Sequence, residues 1–263
     1  HQVFADRLLP MLDEAWTAAE DDPDLSEYRD REDVARLVTL LRDEWDRKME
    51  RDSSAALAFE LFAFHAAVRV LEDDLMFLFD AVLDASTVTV LSWTTQALEG
   101  GYPDADLVQE GRDAILLDAL AATADVITER WGGVDPDMHD YKWGDFHGTL
   151  FDNPLAGSML DYGWVPTDGG TGTVNVSGDS PFGDGVVDRL ESTGGAIFRS
   201  VTTFAEDGTP QTVANFPIGV SGEPDSELWD HTLDDWVEDV YRPLPFERSD
   251  VEADMMDRAT LSP

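Results

Sequence analysis

From Asp30 onward, hydrophobic residues return every three or four positions. Val34, Leu37, Val38, Leu41, Trp45 and Met49 share one face of a helix, with acidic and basic residues on the other. Asp30 stands where a side chain can cap that helix. A second helix is predicted after Asp52, Ser53 or Ser54, any of which can cap it. Its apolar residues, Leu57, Phe59, Leu61, Phe62, Phe64, Val68, Val70 and Leu71, cover too wide an arc for a surface stripe. Such a helix belongs at the centre of a bundle. A third runs from Asp104 or Asp106 to Trp131, with Leu107, Ile115, Leu116, Leu120 and Ile127 inward, and stops at Gly132-Gly133.

After Gly133 the pattern changes. Gly, Pro, Asp, Asn and Thr dominate, and short β-like runs appear at Thr173 to Ser177, Ala196 to Phe204 and Thr212 to Gly219. Glu206-Asp207-Gly208 suits a hairpin turn between the last two. Pro224 to Val240 reads as one more helix, carrying Leu228, Trp229, Leu233, Trp236 and Val240. Helices first and strands after, with no βαβ alternation, predict an α+β fold: a helical subdomain over 1–133 and a β-rich segment over 134–263.

Charge sharpens this picture. The 263 residues hold 56 Asp+Glu against 17 Lys+Arg, a formal charge of −39, which excludes a nucleic-acid binder because phosphate needs a basic face. At 43% hydrophobic and 10% aromatic the chain nevertheless has the material for a packed core. Lys48 and Lys142 are the only lysines, and the acids are spread over every segment. That distribution predicts a protein adapted to molar salt, from a high-salt organism, that loosens when salt is withdrawn. Cysteine is absent, which removes disulfides and thiolate chemistry. The richest apolar stretch, 55–83, carries Glu60, Arg69, Glu72, Asp73, Asp74 and Asp80, so no membrane span is expected. The chain opens on His1 with neither an initiator Met nor a leader, and reads as part of something longer.

Candidate chemistry is sparse. Gly219-Val220-Ser221-Gly222-Glu223 lacks the second Gly of a serine elbow, so Ser221 reads as turn chemistry. Asp137, His139, Asp140, Asp145 and His147 bring imidazoles and carboxylates into one loop, and a divalent-metal hydrolase using His139 and His147 is one reading of them. The spacing matches no ligand code, and a solvated loop is the other reading. His65, inside the apolar helix, reads as a core residue. Gly169-Gly170-Thr171-Gly172-Thr173 lacks the Lys and following helix of a phosphate loop, and Gly194-Gly195 fails the same test. Taken from the residues alone, the catalytic, cofactor and metal assignments are none.

Several segments nevertheless occur in a familiar order. They are Gln2-Val3-Phe4-Ala5-Asp6-Arg7-Leu8-Leu9-Pro10, Leu41-Arg42-Asp43-Glu44-Trp45-Asp46 with Asp52-Ser53-Ser54, and Trp143-Gly144-Asp145-Phe146-His147 with Asn153-Pro154-Leu155. Gly169-Gly170, Thr173-Val174-Asn175, Gly195-Ala196-Ile197-Phe198-Arg199, Gly219-Val220-Ser221-Gly222 and Tyr241-Arg242-Pro243-Leu244-Pro245-Phe246 follow. In this order the chain resembles the C-terminal part of the large subunit of the penicillin acylase family, amidohydrolases of the N-terminal-nucleophile class. Val220 stands where the family has Gln, and Ile197 where it has Ser.

The resemblance implies that these are antiparallel strands belonging to an αββα sandwich. It also implies a nucleophilic Ser that autocatalytic cleavage makes N-terminal, with its own amine as general base. By the same resemblance the nucleophile, the oxyanion-hole Asn and the calcium ligands lie upstream, so none is carried onto these residues. Their matched Trp, Gly and Pro are expected to serve packing and turns. The partners implied are the small subunit and the N-terminal part of the large subunit of the same precursor, with a small acyl amide such as a penicillin or an acyl-homoserine lactone as substrate, and export from the cell. A salt-adapted interaction or surface domain without catalysis is the alternative.

Overall fold

A computed structural model describes residues 1–75, 78–79, 86–102, 107–152, 160–178, 182–183, 185–186, 189–192, 194–219 and 221–255. The chain forms two compact units, His1–Asp152 with Tyr162–Gly195, and Asn153–Asp161 with Ala196–Pro263.

The first unit is built on α4 (Ser54–Leu75), which buries Leu57, Phe59, Leu61, Phe62, Phe64, Val70 and Leu71 on several sides at once. Ser53 caps it by accepting the Ala56 N–H at 3.1 Å. By length and composition α4 could cross a membrane, a property that the charges counted in 55–83 do not suggest. Yet 78% of its apolar window is buried inside the protein, the condition of a core helix. Helix α6 (Arg112–Trp131) lies against α4 and against α1 (Ala5–Ala18), contributing Ile115, Leu116, Leu120 and Ile127. Gly132, at φ 91°, ends α6 in the left-handed conformation that a Cβ disfavours. Its start falls at Arg112, later than expected, because Gly111 at φ 90° breaks the backbone; the proposed caps Asp104 and Asp106 lie outside the described residues.

Two helices depart from the periodicity. Past the short turn α2 (Ser26–Arg29), α3 (Glu32–Thr39) begins after Arg31 without the Asp30 cap, passes into a π-helical turn (Leu40–Glu44), and becomes extended at Trp45. Asp46 Oδ1 accepts the Lys48 N–H at 3.0 Å, a local turn that competes with helix. Trp45 and Met49 still reach the core from outside the helix, Trp45 with its ring 5.0 Å from that of Phe59. Helix α5 (Thr87–Leu98), which lies against α4, has no counterpart in the sequence expectation. Its Val and Thr favour strands, but the Thr94 and Thr95 hydroxyls donate to the Val90 and Leu91 carbonyls at 2.9 and 2.6 Å, and Ser86 caps its first turn.

The one-turn helix α7 (Trp143–Phe146) leads into β1 (His147–Phe151). This strand pairs antiparallel with β2 (Gly163–Pro166) and, against the expectation of antiparallel strands, parallel with β6 (Leu190–Ser192). Two small ladders join β3 (Ser177–Gly178) to β7 (Gly194–Gly195) and β4 (Phe182–Gly183) to β5 (Gly185–Val186). Only the end of the predicted strand 173–177 is ladder, because the Thr173 hydroxyl bonds the Gly170 and Asn175 carbonyls and holds the chain as a loop.

The second unit centres on the sheet β10–β9–β8, made of β8 (Arg199–Phe204), β9 (Pro210–Asn215) and β10 (Arg242–Leu244). The Ala205–Thr209 turn is the expected hairpin, with Asp207 accepting the Thr209 N–H at 2.9 Å and Gly208 at φ 84°. The helix expected over 224–240 shrinks to α8 (Leu233–Val237), since Ser226 takes the Leu228 N–H at 3.2 Å in a turn. Helix α9 (Arg248–Asp254) follows β10.

Arginines answer the acidity by bridging. Arg31 reaches Asp33 at 2.7 Å and Asp125 at 2.5 Å, Arg36 reaches Glu44 and Asp135 at 2.9 and 3.1 Å, and Arg42 reaches Asp13 and Asp43 at 3.1 and 2.9 Å. Arg31 holds the Asp33 carboxyl below its usual range.

Candidate functional site

The motif segments of the first unit converge on one loop, residues 167–175. Trp143 is fully buried and donates its indole N–H to the Gly169 carbonyl at 2.8 Å. One helical turn later, His147 stacks its imidazole on that indole, with ring centroids 4.3 Å apart and planes within 6°. Its Nδ1 lies 3.1 Å from the Thr167 carbonyl and its Nε2 3.1 Å from the Ser177 hydroxyl. A carbonyl only accepts, so in the neutral ring Nδ1 carries the proton and Nε2 accepts from Ser177.

The N-terminal motif meets the same loop. Gln2, fully buried, donates its amide N–H to the Thr171 carbonyl at 2.6 Å and accepts the Phe4 N–H at 3.0 Å. The segment that leads into α4 meets the loop as well: the Arg51 N–H donates to Asp168 Oδ1 at 2.6 Å, and the Gly169 N–H donates to the Met49 carbonyl at 2.7 Å. Ser54 donates its hydroxyl to the Tyr141 carbonyl. Gly169 sits at φ 93°, and a Cβ there would lie 2.1 Å from the Asn175 carbonyl oxygen, so this corner accepts only glycine.

Ser177, His147 and the Thr167 carbonyl have the hydrogen-bond order of a nucleophile, a base and its orienter. Their surroundings differ from those of a working nucleophile. His147 is 0% and Ser177 5% exposed, beneath the Trp143 ring and within the β1–β2 and β3–β7 ladders, where a substrate carbonyl has no approach. The arrangement ties the loop to β1 and β3. Sequence reading missed Thr167, Asp168 and Ser177. The cluster of glycines at 169–172 is the available signal, read in the sequence as a failed phosphate loop and as one segment of the family's motif order.

The other candidates separate. His139 turns its ring onto the end of α6, where a Cβ on Gly133 would lie 2.4 Å from its Nε2. Asp137 and Asp145 are exposed, and Asp140 pairs with Lys142 at 3.8 Å. His147 is engaged by Thr167 and Ser177. Among the described residues no group of three or more His, Cys, Asp or Glu is placed to hold a metal ion, so the His139 and His147 loop has no metal geometry. His65 lies in α4, where burial, reinforced by the Arg69 charge, lowers its pKa to about 4 and keeps it neutral. Ser221 occupies a turn of the second unit, accepting the Glu223 N–H at 3.1 Å.

A sequence model of the penicillin amidase family matches residues 1–253, nearly the whole chain. The chain belongs to the penicillin amidase family. This membership accounts for the order of the segments that meet at the 167–175 loop, and it makes the full protein one of an acylase-like group of amidohydrolases. No curated protein matches the chain significantly.

Proposed function

We propose that this penicillin amidase-family chain is the scaffold portion of an N-terminal-nucleophile amide hydrolase. In this reading the full protein cleaves the side-chain amide of acylated amines, penicillins or acyl-homoserine lactones among them, with a nucleophilic Ser outside these residues. The Ser attacks the acyl carbon, its own amine takes the proton and later passes it to the leaving amine, and water releases the acyl group. The observation that carries the scaffold role is the use made of the motif residues. Gln2, Trp143 and His147 each direct one side-chain nitrogen at a carbonyl of the 167–175 loop, and the Ser177–His147 pair is sealed from substrate.

The test compares hydrolysis of a chromogenic aryl-acyl amide in molar KCl by residues 1–263 and by a polypeptide extended upstream through the cleavage Ser. Turnover by the longer protein alone, abolished when its N-terminal Ser is blocked, is the expected result. Turnover by a clean sample of residues 1–263 would sink the scaffold role, and inactivity of both would sink the hydrolase.

A further inference from the structure

The two units carry nearly the same density of charge on very different interiors. The second unit, 153–161 with 196–263, holds 16 Asp and Glu against 4 Lys and Arg, and the first, more than twice as long, holds 40 against 13. In the first, buried apolar side chains fill the space among the helices, and arginines tie one element to another around it: Arg31 to Asp125, Arg36 to Asp135, Arg69 to Asp118 and Arg112 to Glu14. Among the described residues of the second, Ala214 and Trp236 are the only buried apolar side chains. Repulsion of similar density therefore acts there against far less cohesion.

One cluster fastens α8 to β8. Trp236, on α8, is buried; its indole N–H donates to the Ile197 carbonyl at 3.0 Å, and Arg199 of β8 lays its guanidinium 4.3 Å from the centre of the ring. Arg199 Nη1 also donates to the Trp236 carbonyl at 2.8 Å and reaches Asp239 at 2.5 Å. Asp239 stands at φ 53°, left-handed backbone that residues with a Cβ rarely adopt, and the ion pair helps to hold it there. Around this cluster the acids are dense. Asp230, Asp234, Asp235, Glu238 and Asp239 fall within ten residues, which contain no Lys or Arg of their own.

We propose that Arg199, Trp236 and Asp239 form a salt-set latch, which holds α8 on β8 in molar salt and which the acid run 230–239 opens in dilute solution while the helical unit stays folded. Two opposing forces set this direction. Asp234 and Glu238 lie one helical turn apart, the Glu238 N–H donating to the Asp234 carbonyl at 2.9 Å, and Asp230 precedes them by four residues. Neighbours at that spacing on a helix are about 5 to 6 Å apart. This exceeds the Debye length of about 3 Å in 1 M salt and falls inside that of about 10 Å in 0.1 M, so repulsion among these exposed carboxylates is screened in the first and felt in the second. Arg199 behaves differently. With its side chain only 11% exposed, its attraction to Asp239 and to the Trp236 ring is largely sheltered from ions and persists in strong salt. Salt thus removes the opening force and leaves the holding one. The latch works through this chain's own residues, whatever reaction the full protein performs, and it makes the second unit the first part of the chain to respond to ionic strength.

Hydrogen exchange read by mass spectrometry on residues 1–263, at one low chain concentration and from molar KCl down to about 0.1 M, tests this. Peptides covering 228–242 should lose protection by about 100-fold or more at a KCl concentration where those of α4 and α6 keep theirs. Asp230→Asn combined with Asp234→Asn, both at exposed positions, should lower the KCl midpoint of that loss by about twofold or more and leave α4 and α6 unchanged. Arg199→Lys, which keeps the charge and loses the planar fork over Trp236, should raise the midpoint. Sodium chloride should match KCl at equal ionic strength, and sucrose at low salt should not replace either. A single transition shared by all peptides, protection of 228–242 that survives in dilute buffer, a midpoint indifferent to the paired Asn substitutions or to Arg199→Lys, or rescue by sucrose each overturns the proposal.

Discussion

Replacing His147 by Ala removes three contacts at once. The Thr167 carbonyl and the Ser177 hydroxyl lose their buried partner, and the Trp143 indole loses the ring stacked on it at 4.3 Å. A buried polar group left unsatisfied costs about 1 to 3 kcal/mol, and an aromatic stack contributes about 0.5 to 1.5 kcal/mol. Some relaxation of the loop offsets part of this, so the expected destabilisation is about 3 to 5 kcal/mol, within the range for breaking a buried network. Ser177→Ala should cost about 1 to 2 kcal/mol, and the double variant less than the sum, because its second change removes a hydroxyl already orphaned. Urea unfolding of each variant in molar KCl, followed by tryptophan fluorescence, gives these values, and aryl-acyl amide hydrolysis by the assembled protein supplies the second readout. Ser177→Ala should leave turnover within about threefold, since a hydroxyl buried away from substrate makes no transition-state contact. The reasoning is refuted if Ser177→Ala abolishes turnover with stability intact, for the pair would then be a catalytic dyad.

Four further outcomes follow from the geometry. His65, with its pKa lowered from 6.5 to about 4, binds a proton in the unfolded chain first, so stability falls as pH drops through that window by up to about 3 kcal/mol; above about pH 6.5 both states are neutral and the term vanishes. Comparing urea midpoints of the native chain and His65→Gln across the window isolates this effect from that of Asp33, whose lowered carboxyl pKa loses its contribution only at still lower pH. Gly169→Ala should cost about 3 kcal/mol or more through its left-handed backbone and the Asn175 carbonyl, and a melting temperature within a degree of native would contradict it. With a formal charge of −39, the melting temperature should climb steeply as KCl rises to molar levels and the Debye length contracts from about 10 to about 3 Å; a flat profile would refute the salt adaptation. Ser221→Ala should leave hydrolysis by the assembled protein unchanged, and a large loss of turnover would mean that its turn serves the reaction.

Local patterns carried a good part of the fold. The apolar arc of 57–71 announced a central helix, Gly132 its neighbour's end, and Glu206-Asp207-Gly208 the hairpin, because each depends on side-chain periodicity or on φ preferences within a few residues. The α+β class and the family likewise followed from the order of elements and motifs along the chain. What the chain could not display was which distant groups would meet. Helix α5 is a Val- and Thr-rich stretch whose strand preference yielded to packing on α4, and the parallel pairing of β1 with β6 joins segments far apart in sequence. The loop 167–175 is the clearest case. It receives Gln2, Trp143 and His147 mainly through backbone carbonyls, and every residue has a carbonyl, so no composition marks the ones that will be bonded. Short-range preference was written in the residues themselves, whereas these long-range hydrogen bonds exist only once burial has removed water as the competing partner.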